Sequence, residues 1–129
     1  MTTDLWCLVA NAFWGWVLIQ IEAFGKTRAA GTAWNLSNRE TEPEWPGYVK
    51  RAGRALANHK ENLLFFIVAV VVVHLAGKAD RVSAIASVVY VFARIAHGLL
   101  YVFGVTRIRS LAYVVGLGAT IAIASRLFL

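Results

Sequence analysis

Residues 63 to 77 read LLFFIVAVVVVHLAG, an apolar stretch without one charged side chain. Together with the helical pattern that restarts near Val49, it approaches the roughly 20 residues a helix needs to cross a bilayer. Working outward, three comparable stretches cover about 5–21, 82–104 and 111–125. Of the 129 residues, 59% are apolar and only 16% charged, and the mean hydropathy of +0.62 lies far above that of soluble domains. This composition excludes a soluble globule and a disordered chain. Because four spans consume most of the length, it also excludes a separate soluble catalytic domain, so any chemistry sits among helices or in their connections.

The reading is therefore an all-α integral membrane protein, a single membrane domain over 1–129 with spans at about 4–24, 49–76, 81–104 and 108–128. The one long connection, 25–48, carries Gly31, Pro43, Pro46 and Gly47, which break a helix and mark a turn before Tyr48. Short turns at Gly77 to Asp80 and Gly104 to Arg107 make the later spans antiparallel neighbours, an up-down-up-down bundle. Lys26, Arg28, Arg39, Lys50, Arg51, Arg54, Arg107 and Arg109 flank one set of span ends, against Lys78, Arg81 and Arg126 at the other. The positive-inside rule then makes the 25–48 loop cytoplasmic and puts both termini outside. The net charge of +6 follows the span ends rather than an aromatic-interleaved stripe, so nucleic acid is not an expected partner. The lone Cys7 supports neither a disulfide framework nor a cysteine metal site. Neither does the placement of His59, His74 and His97 suit a metal. The first span has no basic leader, and it is read as retained rather than cleaved.

Polar residues inside the spans carry the functional signal. Arg51, Arg54, Asn58 and Glu61 fall within an arc of about 80° on one helix. An unpaired carboxylate at membrane depth costs about 2.5 kcal/mol or more, so Glu61 is expected to find a partner such as Lys60 or Arg54. The third span repeats the pattern with Tyr90, Arg94, His97 and Tyr101, and the two stripes are expected to face each other. Arg94 is too deep to snorkel, which predicts a buried structural pair with Glu61 or Glu22; Arg51 is likewise read as a structural charge. His97 beside Tyr101 suits a polar cavity. The fourth span opens with Arg107, Arg109, Ser110 and Tyr113, where a guanidinium, a hydroxyl and a helix amino terminus suit an anion such as a thiolate. Arg107 fits plain cytoplasmic anchoring. Small residues Ala52, Gly53, Ala57, Ala96 and Gly98 permit close helix contacts.

Arg51-x-x-Arg54-Ala-x-x-Asn58-x-x-Glu61, then Tyr90-x-Phe-Ala-Arg94-x-x-His97-x-x-x-Tyr101, then Arg109-Ser110-x-x-Tyr113 resemble the signature elements of the membrane-associated proteins in eicosanoid and glutathione metabolism, the MAPEG family. Three motifs occur in order on the corresponding spans, and with Pro43-Glu44-Trp45 the matched region covers about 26–113. The resemblance implies a homotrimer of four-helix protomers with glutathione held between neighbours near the cytoplasmic face. It implies that Arg54, Asn58 and Glu61 hold the polar ends of the tripeptide, that His97, Tyr101 and Tyr113 line its site, and that Arg109 and Ser110 face its sulfur. Arg28, in the first cytoplasmic loop, is the nearest match to a further arginine of the family. Two departures stand out: the connection ahead of Arg109 varies in length across the family, which makes Arg107 the alternative thiol partner, and Asn62 stands where some members have an aromatic residue next to the glutamate.

The function so implied is a membrane glutathione transferase or glutathione-dependent peroxidase. Glutathione is its co-substrate, no metal takes part, and its lipophilic electrophile arrives through the bilayer, expected to be a bacterial inner membrane. The residues leave two rivals. A four-span proton-coupled multidrug exporter has the same length and span count, but its first-span carboxylate is only Glu22 and the arginine-rich cavity would repel cations. A family-shaped binding or scaffold protein without turnover is the other.

Overall fold

A computed structural model describes residues 1–129 and is about 80% helical, without strands. Four helices are long and apolar enough to cross a membrane: α1 (Thr3–Ala30), α3 (Gly47–Leu75), α4 (Arg81–Val102) and α5 (Arg107–Ser125), with the short α2 (Thr32–Leu36) between the first two. They run up, down, up, down. Helices α3 and α4 touch each other and both α1 and α5, whereas α1 and α5 do not touch, so the cross-section is a rhombus with α3 and α4 on its short diagonal.

Each boundary has a local cause. Pro46 is the N-cap of α3 and Gly47 its first residue. A Schellman-like turn closes α3, where Gly77 (φ +67°) takes the left-handed conformation and the Lys78 amide reaches back to Val73. Asp80 then starts α4 with a capping box, its carboxylate accepting from the amides of Val82 and Ser83 while the Ser83 hydroxyl accepts from the Asp80 amide.

The first connection differs from the expected 25–48 loop. Helix α1 does not stop near residue 24 but continues to Ala30, ending at Gly31 (φ +90°), whose amide donates to the Thr27 carbonyl. Gly25 is a packing glycine rather than a turn. A Cβ there would stand 2.7 Å from Val49 Cγ2 and 3.2 Å from Tyr48, so its bare backbone is what lets α1 and α3 meet at this end. The Glu22–Lys26 ion pair (2.8 Å) spans one turn beside it.

Lipid tails are as apolar as leucine, so bundle cohesion rests on close packing and internal polar contacts more than on hydrophobic transfer. Buried Ala52, Ala55, Ala69, Ala86, Ala93 and Ala119 permit that packing. One core layer stacks Phe66 on Tyr90, with ring centroids 3.9 Å apart and planes nearly parallel. A second places Trp14 and Leu18 against Ala55 and Leu56. The small residues singled out in the sequence divide. Ala52 and Gly98 are buried within the protomer, Gly98 against Trp14, whereas Ala57 stays exposed.

Candidate functional site

The basic end of the bundle gathers α1's C-terminus, α3's N-terminus, the end of α4 and the start of α5. Between the two core layers, Arg94 is 2% exposed and donates from its terminal guanidinium nitrogen to Asn58 Oδ1 at 2.8 Å. This corrects the expected pairing: Arg94 pairs with neither Glu61 nor Glu22. Glu22 is taken by Lys26, and Glu61 is exposed without an ion pair to Lys60, Arg54 or any other residue. The physical reason is rotation about α3. Asn58, at the inner edge of the polar stripe, reaches α4, whereas Arg54 and Glu61 at its other edge point out of the protomer. The two stripes thus meet along one edge rather than face to face.

Toward the basic end, His97 packs its ring edgewise on Tyr101 (centroids 5.7 Å) and tilts against Tyr113 of α5 at 6.1 Å. The Arg109 guanidinium lies 4.1 Å from the Tyr101 ring centroid, within cation–π range. His97, Tyr101, Arg109 and Tyr113 therefore form one cluster across the α4–α5 seam; spacing paired His97 with Tyr101 on α4, and the family resemblance is what joined Arg109 and Tyr113 to them. Arg107 is exposed and outside this cluster. Ser110 is exposed too, and its hydroxyl donates to the Thr106 carbonyl one turn back (3.3 Å). Arg28 lies exposed in the last turn of α1. Arg51 is only half-buried; its Nε donates to the Val102 carbonyl at 2.9 Å and ties α3 to the end of α4. Asn62, where the family has an aromatic in some members, donates its amide to the Asn58 carbonyl at 2.9 Å, on its own helix.

Sequence reasoning passed over two polar clusters. His59 is buried, its Nε2 3.1 Å from the Asn11 carbonyl, which makes Nε2 the protonated nitrogen, and Gly15 leaves room for the ring. At the opposite end, Asp4 is 4% exposed and accepts from the hydroxyl of Ser87 (2.9 Å), with the Ser83 hydroxyl 3.4 Å away and directed at closer range to the Asp80 carbonyl (2.9 Å). The four-residue spacing of the two serines on α4 was the available signal. Beside them Asp80 binds Arg126 at 2.7 Å. Backbone donation from Ser83, and then Arg126, holds the Asp80 carboxyl below its ordinary pKa. In the long connection, the Lys50 ammonium does the same for Glu44.

Four membrane-length helices, a buried arginine–asparagine pair and an arginine–tyrosine–histidine cluster at the basic end define an integral membrane protein with a polar site inside its bundle. The model of the MAPEG family matches residues 3–129, and the chain belongs to that family. Membership gives it a membrane-bound role in glutathione or eicosanoid metabolism. Comparison with curated proteins and with solved structures returned no match.

Proposed function

We propose that the protein is a glutathione transferase or glutathione-dependent peroxidase acting on a lipophilic electrophile. The observation that carries this reading is the placement of Arg109 over Tyr101, beside His97 and Tyr113, in a chain of the MAPEG family. Glutathione brings two carboxylates, an ammonium and a thiol. Arg54 suits a carboxylate, Glu61 the ammonium, and the Asn58 amide, its oxygen held by Arg94, offers N–H donors. A thiol with pKa near 8.5 is mostly protonated at neutral pH, and an adjacent guanidinium lowers it toward the ~3.5–7.5 range of activated thiols. The thiolate then attacks an electrophilic carbon and expels its leaving group, or attacks a hydroperoxide oxygen, with Arg109 stabilising the sulfur charge before attack. In the second case the O–O bond breaks, the alkoxide leaves as alcohol after taking a proton from water, and the glutathione sulfenic acid is reduced by a second glutathione to the disulfide and water. Ser110, at the same helix start, contributes its hydroxyl as a second donor to the thiolate by turning away from the Thr106 carbonyl, which it meets at 3.3 Å in the single protomer.

The same reading makes the working unit a homotrimer in a bacterial inner membrane, with the basic end cytoplasmic. Arg28, Arg54 and Glu61, exposed on the single protomer, then meet glutathione at a subunit boundary. Calorimetric titration of glutathione into detergent-purified protein tests the proposal, followed by conjugation of a lipophilic aryl halide. Saturable binding supports it, and folded protein that takes up no glutathione ends it.

A further inference from the structure

Between the outer faces of α4 and α5 runs a groove of about 400 Å³ lined by ten hydrophobic residues, among them Val88, Phe92, Leu100, Ile108, Ala112 and Val115. On α4 it extends from Val88 to Leu100, about 18 Å at 1.5 Å per residue. That is close to one leaflet of a hydrocarbon core roughly 30 Å thick. Leu100 and Ile108 mark its basic end, and Arg107 immediately precedes Ile108 on α5. Arg107 is exposed and forms no ion pair. Arg51, tied to Val102, lays its guanidinium carbon about 3.7 Å from the position a Gly104 side chain would take, placing a second cation at the α4–α5 turn.

The rest of the molecule supplies the contrast. A larger groove, about 500 Å³ between α3 and α5, is almost as apolar, lined by Leu64, Val68, Ile121 and Leu127 among others. It ends near Arg126, but that guanidinium is neutralised by Asp80 at 2.7 Å. The α4–α5 groove joins about one leaflet's depth of apolar wall to the unpaired Arg107 at its mouth, whereas the α3–α5 groove runs only about 12 Å on α3, from Leu64 to Val72, and the cation beyond Leu64, Lys60, sits beside the exposed carboxylate of Glu61.

We infer that the α4–α5 groove is a binding site for an anionic phospholipid of the leaflet at the basic end, one acyl chain lying along Phe92 and Val115 and the phosphate meeting Arg107. Charge complementarity selects the headgroup, and the apolar wall selects the chain. Of the proposed glutathione-site residues, Arg109 meets Tyr101 and Tyr113 meets His97 across the seam, and none of the four lines the groove, so the site stands whether or not the protein turns over glutathione.

The test is native mass spectrometry and thermal unfolding of delipidated, detergent-purified full-length protein. It is supplied with phosphatidylglycerol or phosphatidylcholine of identical acyl chains, or with inorganic phosphate alone. The expected result is preferential retention of phosphatidylglycerol, roughly fivefold, the worth of one interfacial cation, together with an upward shift in unfolding temperature that phosphate alone does not reproduce. Arg107→Gln is expected to abolish most of the headgroup preference, and Ala112→Phe to reduce retention of both lipids by filling the groove. Arg126→Gln is the control and keeps the preference. Equal retention of the two lipids by wild type, an unchanged preference in Arg107→Gln, or full protection by phosphate alone overturns the site. Arg107→Gln changes an exposed side chain, so its result stands even if Ala112→Phe fails to fold.

Discussion

Arg109 and Arg107 differ by two residues and by everything around them. Arg109 packs on Tyr101 while Arg107 is exposed outside the cluster, which bears directly on the alternative left by the variable connection. Removing the guanidinium that steadies a thiolate returns the thiol toward its ordinary pKa near 8.5. Arg109→Leu is therefore expected to erase most of the thiolate absorbance of bound glutathione at neutral pH and to lower kcat about 100-fold, with glutathione still bound. Arg107→Leu is expected to leave that absorbance in place. The reverse pattern would shift the motif by two residues and assign the thiol to Arg107. At this scale, helical periodicity made His97 and Tyr101 legible as neighbours on α4, because residues three and four apart share a face, whereas their meeting with Arg109 and Tyr113 of α5 was implied only by the family resemblance. It did not make the partner of Arg94 legible. Choosing Asn58 over Glu61 depends on how α3 is turned about its axis, and 60° of rotation is invisible in a list of polar residues.

Among the elements, the α1–α4 crossing is the tightest test of packing. A Cβ on Gly98 would stand 2.7 Å from Trp14 Cζ2 and 3.1 Å from its Nε1, and an indole sandwiched in a core layer has little room to retreat. Gly98→Ala is expected to destabilise the bundle by about 1–3 kcal/mol, and Trp14→Leu in the same chain to recover much of that loss. Strictly additive effects in a double-mutant cycle of denaturation would show that the two side chains do not share the strain. Gly98 and Gly25 show why the element ends were harder to read than their existence. Apolar length marked all four spans, and Pro46 with Gly47 marked the start of α3. A glycine that ends a helix and one that lets another helix approach, however, look alike in sequence. At the far end, α4 begins on Asp80, whose carboxyl is held below its ordinary value by the Ser83 amide and by Arg126. A depressed folded pKa means that the unfolded chain takes up the proton first. The stabilisation is complete above the ordinary carboxyl pKa and is lost as pH falls through the folded one. Asp80→Asn keeps a capping oxygen but removes the charge, so its unfolding temperature is expected to fall below wild type at neutral pH and to converge with it in acid. A gap that persists unchanged in acid would mean that the ion pair is not what Asp80 contributes.

For the whole molecule, the decisive feature is polarity facing the wrong way for a solitary bundle. Arg54 and Glu61 are exposed on α3 near exposed Ala57, on a helix that spans the membrane. A charged side chain held toward hydrocarbon costs a few kcal/mol, and exposed Phe65 and Leu64 lie one turn beyond Glu61 on the same helix. A surface that mixes charge, a small residue and apolar bulk matches neither lipid nor water, but it suits a second protein surface. Three copies around α3 would cover it, as the MAPEG resemblance implies. Native mass spectrometry from mild detergent is expected to give three chains, and glutathione to bind at subunit boundaries. Ala57→Trp places bulk on the exposed face without touching the buried face of α3, so it is expected to shift the mass toward single chains. Its helical circular dichroism should remain and its glutathione affinity should fall at least tenfold, because Arg54 and Glu61 lose the neighbour that completes their site. A wild-type mass of one or two chains would remove the trimer. An Ala57→Trp protein that stays trimeric and binds glutathione normally would place the subunit contact on another face.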